Sequence, residues 1–497
     1  MEKLDFDRED LFSFEDNFHS MLAAFGPTMT RQARQAYYDE RKFMREHLAP
    51  LVLSEDNKHA EDHDYISWEM LRLAGKHGRI SSFIPKFMGG SGSSITGGAM
   101  MANMEEQASV DGAYCGMMGG HGLGLVALMM TFNMEALQRV IDRIVSREKD
   151  EKPYVIDCAI TEPTAGTDVE EVELYPTAKL MCQAKRVPGG AVLNGRKVFI
   201  STGHMASDHF IIMPFDMKDA VNTMACFLVP NDAEGFSLGR KERKMGQRAG
   251  PASELIFEDC FVSEENILID AGNYPEFKGQ FEGLLHNVLG ITRIAVGAWS
   301  TGTARAALDR ALYLGRREKH KGRTLIHQQW AQEILTNMLM NVMKARAIYL
   351  EAQFALMANM GSSGMVTNMP AVANTAPVTA VLKMLFSSNS FKKLYQSEMM
   401  RKAMLKRVAD LPRENDHRIQ FMSSLAKVVG SDAAMENCHL AVEFLGKSGL
   451  RHDRGVEKVF RDAKLLQIFE GTNQLNRLNM FQHYFGKHFP DMDVFER

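Results

Sequence analysis

The chain has 497 residues, 45% of them hydrophobic and 24% charged. That is the balance of a soluble globular protein with room for about three domains at ~150 residues each. Its 58 basic and 62 acidic residues leave a net charge of −4, without the basic excess that a nucleic-acid binder usually carries.

The first ten residues include Glu2, Asp5, Asp7, Glu9 and Asp10, neither the basic start nor the apolar core of a signal peptide. No apolar run reads as long enough to cross a bilayer, so no transmembrane segment is expected. Residues 1–152 read as an α-helical domain. Gln32–His47 is charged and periodic, with Pro50 as a stop signal just beyond. Ile66–His77 is a second helix, ended by Gly78. Gly98–Ala108 and Gly122–Phe132, rich in Met and Leu, have the composition of buried helices. His59 and His63 have the spacing of a metal pair, but Glu61 and Asp62 between them mark a solvated stretch. The glycines at 119, 120, 122 and 124 follow no strand, so they make no dinucleotide fingerprint. The six cysteines, at 115, 158, 182, 226, 260 and 438, have no metal spacing and fit reduced thiols in a cytoplasmic protein. No metal is expected.

Near Pro153 the pattern changes to short apolar runs, and 153–274 reads as a central antiparallel β domain, a small sandwich or barrel. The runs are Val155–Ile160, Lys179–Arg186, Ala191–Ser201, Phe210–Met213, Met224–Val229 and Glu254–Val262. Asn194-Gly195 is a turn signal inside the third. From 275 to 497 the chain is helical again, beginning with the buried-type helix Arg293–Arg316. An insertion spans about 358–418. In it Gly361–Thr375 is a Ser/Gly/Asn/Pro-rich loop, and Thr379–Val408 is one helix carrying six Lys and Arg side chains after residue 391. Those charges read as a solvated face, with docking to a partner or membrane surface as the alternative. Near the end, Arg461–Gln474 (RDAKLLQIFEGTNQ) places an apolar stripe at helical spacing just before Glu470 and Gly471. Gly471 suits a left-handed cap, and Thr472 or Asn473 can begin the next helix. A carboxylate at such a greasy end loses water, its pKa rises, and it becomes a usable base near neutral pH. A solvated residue in a cap turn is the simpler local reading.

Several of these strings, in order, resemble the acyl-CoA dehydrogenase family. Ile84-Pro85 followed by Gly89, Gly90 and Gly92 is similar to its "I-P-x-x-x-G-G-x-G" loop. Ile160–Asp168 (ITEPTAGTD) resembles "T-E-P-G-A-G-S-D", and Leu193–Gly203 (LNGRKVFISTG) resembles "L-N-G-x-K-x-W-I-T-N-G". Lys244–Phe257 and Arg461–Gln474 match two further strings.

The resemblance implies an α+β fold: an N-terminal α-helical domain, a central β domain and a C-terminal α-helical bundle. It implies FAD, held by Ile160, Thr161, Gly166, Thr167, Phe199, Ser201, Thr472 and Gln474. From a neighbouring subunit it implies Arg317, Gln329, Glu443 and Gly446, within motifs altered by Glu318, Lys321, Glu443 and Lys447. Phe199 stands for a Trp beside the isoalloxazine ring, and Ser201 for a Thr that reaches flavin N5. Thr167, Gly471 and Arg293 are implied at the substrate, Arg293 near the CoA phosphates, although the Asp that accompanies it in the family is absent. The implied reaction is α,β-desaturation of an acyl-CoA thioester. Glu470 removes the α-proton, and electrons pass to an electron-transferring flavoprotein from a homodimer or homotetramer. An oxygen-using oxidase or monooxygenase of the superfamily, and a scaffold that has lost flavin, are the other readings. Glu470 weighs against the monooxygenase, and the short C-terminal remainder against the typical oxidase.

Overall fold

The computed structural model describes residues 12–19, 23, 27–94, 99–166, 169, 174, 177–270, 281–362, 376–409, 413–489, 492 and 494. Among the described residues the longer helices that precede the sheets are α1 (Pro27–Phe43), α2 (Val52–Glu61), α3 (Trp68–Lys76), α4 (Ala99–Val110), α5 (Gly112–Met130) and α6 (Met134–Arg147). Asp111 caps α5 by accepting from the Tyr114 N–H at 3.0 Å, and Asn133 caps α6 through Ala136 N–H at 3.1 Å. Each satisfies an amide that would otherwise lack a partner.

α5 begins at Gly112 rather than Gly122 and takes the glycines inside it. Gly124 serves close packing: a Cβ there would lie 2.6 Å from the Asp157 carbonyl oxygen. By length and composition α5 could also cross a bilayer, contrary to the expectation, but 67% of its apolar window is buried inside the fold. It is a core helix.

Two four-stranded sheets follow, ordered β1-β4-β5-β8 and β2-β3-β7-β6. Their strands are β1 (Ile156–Ala159), β2 (Gln183–Val187), β3 (Gly190–Ser201), β4 (Asp208–Pro214), β5 (Met224–Pro230), β6 (Phe236–Lys241), β7 (Ala252–Ser263) and β8 (Ile267–Asp270). Pairing is antiparallel except between β1 and β4, which run parallel with Ile156 opposite Asp208. Leu193, Phe227 and Leu255 fill the core of this domain. Asn194-Gly195 makes no turn. β3 runs straight through it, and a bulge between Leu193 and Gly195 absorbs Gly195 at φ +131°.

The bundle consists of α7 (Phe281–Gly315), α8 (Gln329–Ser362), α12 (Arg413–Leu445), α13 (Val456–Leu466) and α14 (Asn473–Tyr484). α9 (Ala376–Ser387), α10 (Asn389–Tyr395) and α11 (Glu398–Ala409) replace the single helix expected over 379–408. Most of the Gly361–Thr375 loop lies outside the described residues. Small residues bring α7 against its neighbours: a Cβ on Gly297 would meet the Ala426 carbonyl oxygen at 2.9 Å, and one on Gly302 the Glu105 carbonyl oxygen at 2.2 Å. Fully buried Arg305 then joins α7 to Glu105 at 3.3 Å and Glu106 at 2.8 Å on α4.

Candidate active site

α13 stops at Leu466, short of the end of the apolar stripe. In the turn that follows, Glu470 (φ +57°) and Gly471 (φ +77°) are both left-handed. Glycine tolerates this freely, whereas glutamate pays roughly 1–2 kcal/mol. Thr472 then caps α14, its hydroxyl accepting from the Leu475 N–H at 3.2 Å.

Distant residues hold the turn. The Arg293 guanidinium donates to the Glu470 carbonyl at 3.3 Å, and the Asn476 amide to the carbonyls of Glu470 and Gly471 at 3.2 and 2.9 Å. Lys427 donates to the Gly471 carbonyl at 2.7 Å and to Asn473 Oδ1 at 2.6 Å. The Glu470 carboxylate itself accepts from the Thr292 hydroxyl at 2.7 Å.

That carboxylate lines a cavity of about 450 Å³. Met100 and Met104 of α4, Gly116, Gly119 and Gly120 of α5, and Ala295 and Trp299 of α7 form much of its wall. Phe469 closes another part, its ring tilted against Trp299 with centroids 5.0 Å apart. Burial pushes the Glu470 carboxyl up from the ordinary carboxylate range. The Thr292 hydrogen bond and the charges of Arg293 and Lys427 oppose the rise without cancelling it. The result is a carboxyl group with raised proton affinity facing an apolar slot.

Phe199, Ser201 and Thr202 line the same cavity. The β3–β7 register slips between Lys197 and Ile200, and Phe199 sits in that bulge at φ +59°. The bulge turns the ring outward, leaving it 60% exposed. Next to it, the Thr161 carbonyl accepts from the Val198 N–H at 2.9 Å. Buried Lys197 donates to the Ile160 carbonyl at 2.8 Å and to Glu162 at 2.9 Å. The two strings of the β segment are therefore fastened together by one buried ion pair. Gly166 closes the same loop, and Thr167 lies outside the described residues. An outward aromatic ring flanked by a serine hydroxyl and a pinned loop of small residues fits the flat, polar-edged ring of a flavin.

The other expected residues fall into three places. Thr472 and Gln474 are beside Glu470 at the start of α14, with Gln474 exposed. Arg293 is fully buried and reaches the Glu470 turn, so its guanidinium does not face outward for CoA phosphates as expected. Arg317, Gln329, Glu443 and Gly446 are all exposed, and none lines the cavity. They belong to a separate surface where Ser448 bonds Glu318 and Trp330 packs near Phe444 at 6.1 Å. Glu443 is in the last turn of α12, while Lys447 lies past the helix end in a 3₁₀ turn, so the pair lacks i,i+4 helix geometry.

Three family models match the chain: the acyl-CoA dehydrogenase N-terminal domain over 30–148, the middle domain over 158–260, and the C-terminal domain over 283–383 and 389–485.

The chain belongs to the acyl-CoA dehydrogenase family.

It is accordingly an acyl-CoA dehydrogenase and uses FAD, as the family does. A probable acyl-CoA dehydrogenase of Mycobacterium leprae, fadE25, is 26% identical over 445 residues, covering 89% of this chain and 94% of that protein. Cyclohexane-1-carbonyl-CoA dehydrogenase of Geobacter metallireducens is 27% identical over 438 residues, covering 88% and 93%. The fold is also that of an acyl-CoA dehydrogenase from Bacillus anthracis solved with FAD, with a TM-score of 0.70 at 22% identity, covering 94% of this chain and 68% of that one.

Thr292, Lys427 and Asn476 escaped the sequence reading. Each is an ordinary polar residue far from Glu470 or outside its string, and only the folded bundle brings them to it. Lys197 and Glu162 stood inside matched strings, which gave a signal for their importance but not for their pairing.

Proposed function

We propose that this acyl-CoA dehydrogenase desaturates its thioester between the α and β carbons, with Glu470 as the base. The observation that carries this is a single one: the Glu470 carboxyl, its pKa raised by burial, faces the apolar cavity from a turn clamped on its backbone side. The acyl group enters among Met100, Met104 and the glycine face of α5. Glu470 takes the α-proton, and Thr292 tunes the affinity of the carboxylate for it. Low polarity around the reacting carbons keeps water from competing with the base and strengthens every charge interaction there.

FAD, when bound, supplies the acceptor for the β-hydrogen. Phe199, Ser201, Ile160, Thr161, Gly166 and Thr167 would hold its ring, and Thr472 and Gln474 its neighbouring part. The exposed set Arg317, Gln329, Glu443 and Gly446 suits a group reaching over from another subunit, which supports a homodimer or homotetramer. The remaining parts of the reading are Gly471 beside the thioester, an electron-transferring flavoprotein as acceptor, a cytoplasmic enzyme, and domain borders near 152 and 274. Apart from buried α5, no helix among the described residues is long and apolar enough to cross a membrane.

The test is anaerobic mixing of wild type and Glu470→Gln with a panel of acyl-CoAs, following flavin bleaching. Glu470→Gln keeps the shape and should keep FAD. Bleaching should fall by more than the roughly 10²–10⁴-fold typical of lost general-base catalysis, because no water in the slot can replace the carboxylate. Near-normal bleaching in the variant would place the base elsewhere.

A further inference from the structure

α9 is apolar on both of its sides. Its inner side is occupied: Phe386 meets Phe87 at 4.8 Å between ring centroids, and Phe391 and Tyr395 at 5.0 and 5.1 Å. At about 100° per residue, Pro377, Ala380, Val381, Met384 and Leu385 fall on the arc away from Phe386. All five are exposed, and Val381, Met384 and Leu385 are so by 57%, 72% and 38%. Single exposed Leu or Met side chains are ordinary, but a contiguous apolar arc marks a surface that meets something.

Lys383 lies on α9 beside this arc, and further lysines stand on α10 and α11, the helices that follow it. Lys383, Lys392, Lys393 and Lys406 are exposed. Glu398 is the sole acidic residue over 376–409, and it is paired with Lys402 at 3.1 Å. The basic run read from sequence as a solvated face therefore follows directly along the chain on a helix with an exposed apolar arc.

We propose that this face docks on the surface of an anionic phospholipid membrane. Its aliphatic side chains would enter the boundary between headgroups and acyl chains, and the lysines would meet lipid phosphates. The 12 residues of α9 are too few to span a bilayer, so the contact is peripheral. A second copy of this chain is the poorer occupant: a twofold contact through this face would bring lysines against lysines.

The experiment is co-sedimentation of the FAD-loaded enzyme with vesicles of phosphatidylcholine alone or mixed with phosphatidylglycerol. The enzyme should sediment with the mixed vesicles and be released by salt. Lys392→Glu with Lys393→Glu should weaken that binding by roughly tenfold or more. Met384→Ser with Leu385→Ser should weaken it too. Both double variants should keep FAD content and acyl-CoA turnover, since none of the four residues touches the cavity. No sedimentation of wild type with anionic vesicles, or binding indifferent to both variants, overturns the proposal. So does a smaller oligomer of the Met384→Ser, Leu385→Ser variant by light scattering without vesicles, which would assign the face to a second copy.

Discussion

Replacing Thr292 with Val separates the tuning of Glu470 from its placement. Valine keeps the shape of threonine and removes the hydroxyl that donates to the carboxylate at 2.7 Å. A hydrogen bond to a charged group contributes about 1.5–3 kcal/mol. The bond is made to the ionised form, so losing it favours protonation, on top of the rise that burial already causes. At about 1.36 kcal/mol for a tenfold change in proton affinity, the carboxyl should hold its proton roughly 10–100 times more tightly. The base works only when ionised. On the acid side of the profile the variant should therefore be slower than wild type by that same factor, and at high pH it should recover toward the wild-type rate. Stopped-flow flavin bleaching at saturating acyl-CoA, measured across pH, gives both profiles, and Thr292→Ser should restore the wild-type one. A uniform loss at every pH, with the midpoint unmoved, would refute the reasoning. Thr292 would then place the carboxylate without setting its pKa.

Three further outcomes are expected. The folded-state pKa of Glu470 lies above its unfolded value, so the stability that wild type has relative to Glu470→Gln is complete at acid pH and is lost as pH rises through the folded pKa; calorimetry should show Glu470→Gln gaining in Tm over wild type toward alkaline pH, and a difference that stays constant with pH would contradict the raised proton affinity. Lys197→Met takes the cation from the buried Glu162 carboxylate and leaves it the Met181 and Cys182 N–H donors, which costs up to about 3–5 kcal/mol and loosens the Ile160 loop; urea unfolding and FAD titration should both weaken, and a fully stable variant with normal FAD affinity would break the link between the two strings. Gly119→Leu has room to be accommodated, since the nearest atom to an added Cβ is the Met104 methyl at 3.9 Å; it should cut kcat/KM for long acyl groups at about 0.8 kcal/mol per displaced methylene and spare short ones, whereas equal loss for all lengths would put the acyl chain elsewhere.

The parts of the site legible in the sequence are those whose shape is local. The EGT turn carries its own left-handed glycine, which residue type at fixed spacing reported, whereas the left-handed Glu470 beside it and the bulges of β3 were not read, and Asn194-Gly195 was taken for a turn. Residues recruited from far along the chain left no such trace. Thr292 stood just before the expected start of a helix at Arg293, with nothing to mark it, and Lys427 looked like any helical lysine. In the fold, β6 (Phe236–Lys241) was missed because its sequence, FSLGRK, lacks clean alternation, and β8 because four residues, ILID, are too few to show a period. The start of α5 was missed because glycine is a poor helix former, and only packing against β1 explains why it stays helical. The reading of 379–408 as one helix overlooked Ser387-Ser388 and Gln396-Ser397, where polar residues interrupt it.

The arrangement around Glu470 divides its control in two. From the backbone side, Arg293, Asn476 and Lys427 bond the carbonyls of Glu470 and Gly471. These bonds offset the roughly 1–2 kcal/mol that a left-handed glutamate costs. They act on position: the reversal at residues 470 and 471 turns the side chain back toward the cavity, away from the course of α14. From the side-chain end, the Thr292 hydroxyl donates to the carboxylate, while Lys427 bonds the Gly471 carbonyl and Asn473 Oδ1 and Arg293 bonds the Glu470 carbonyl. Had Lys427 or Arg293 been placed directly on the carboxylate, their charges would have pulled its pKa down and left a weak base. Keeping those charges one peptide unit away holds the turn rigidly while letting burial dominate the proton affinity. That is the combination a general base in an apolar slot requires.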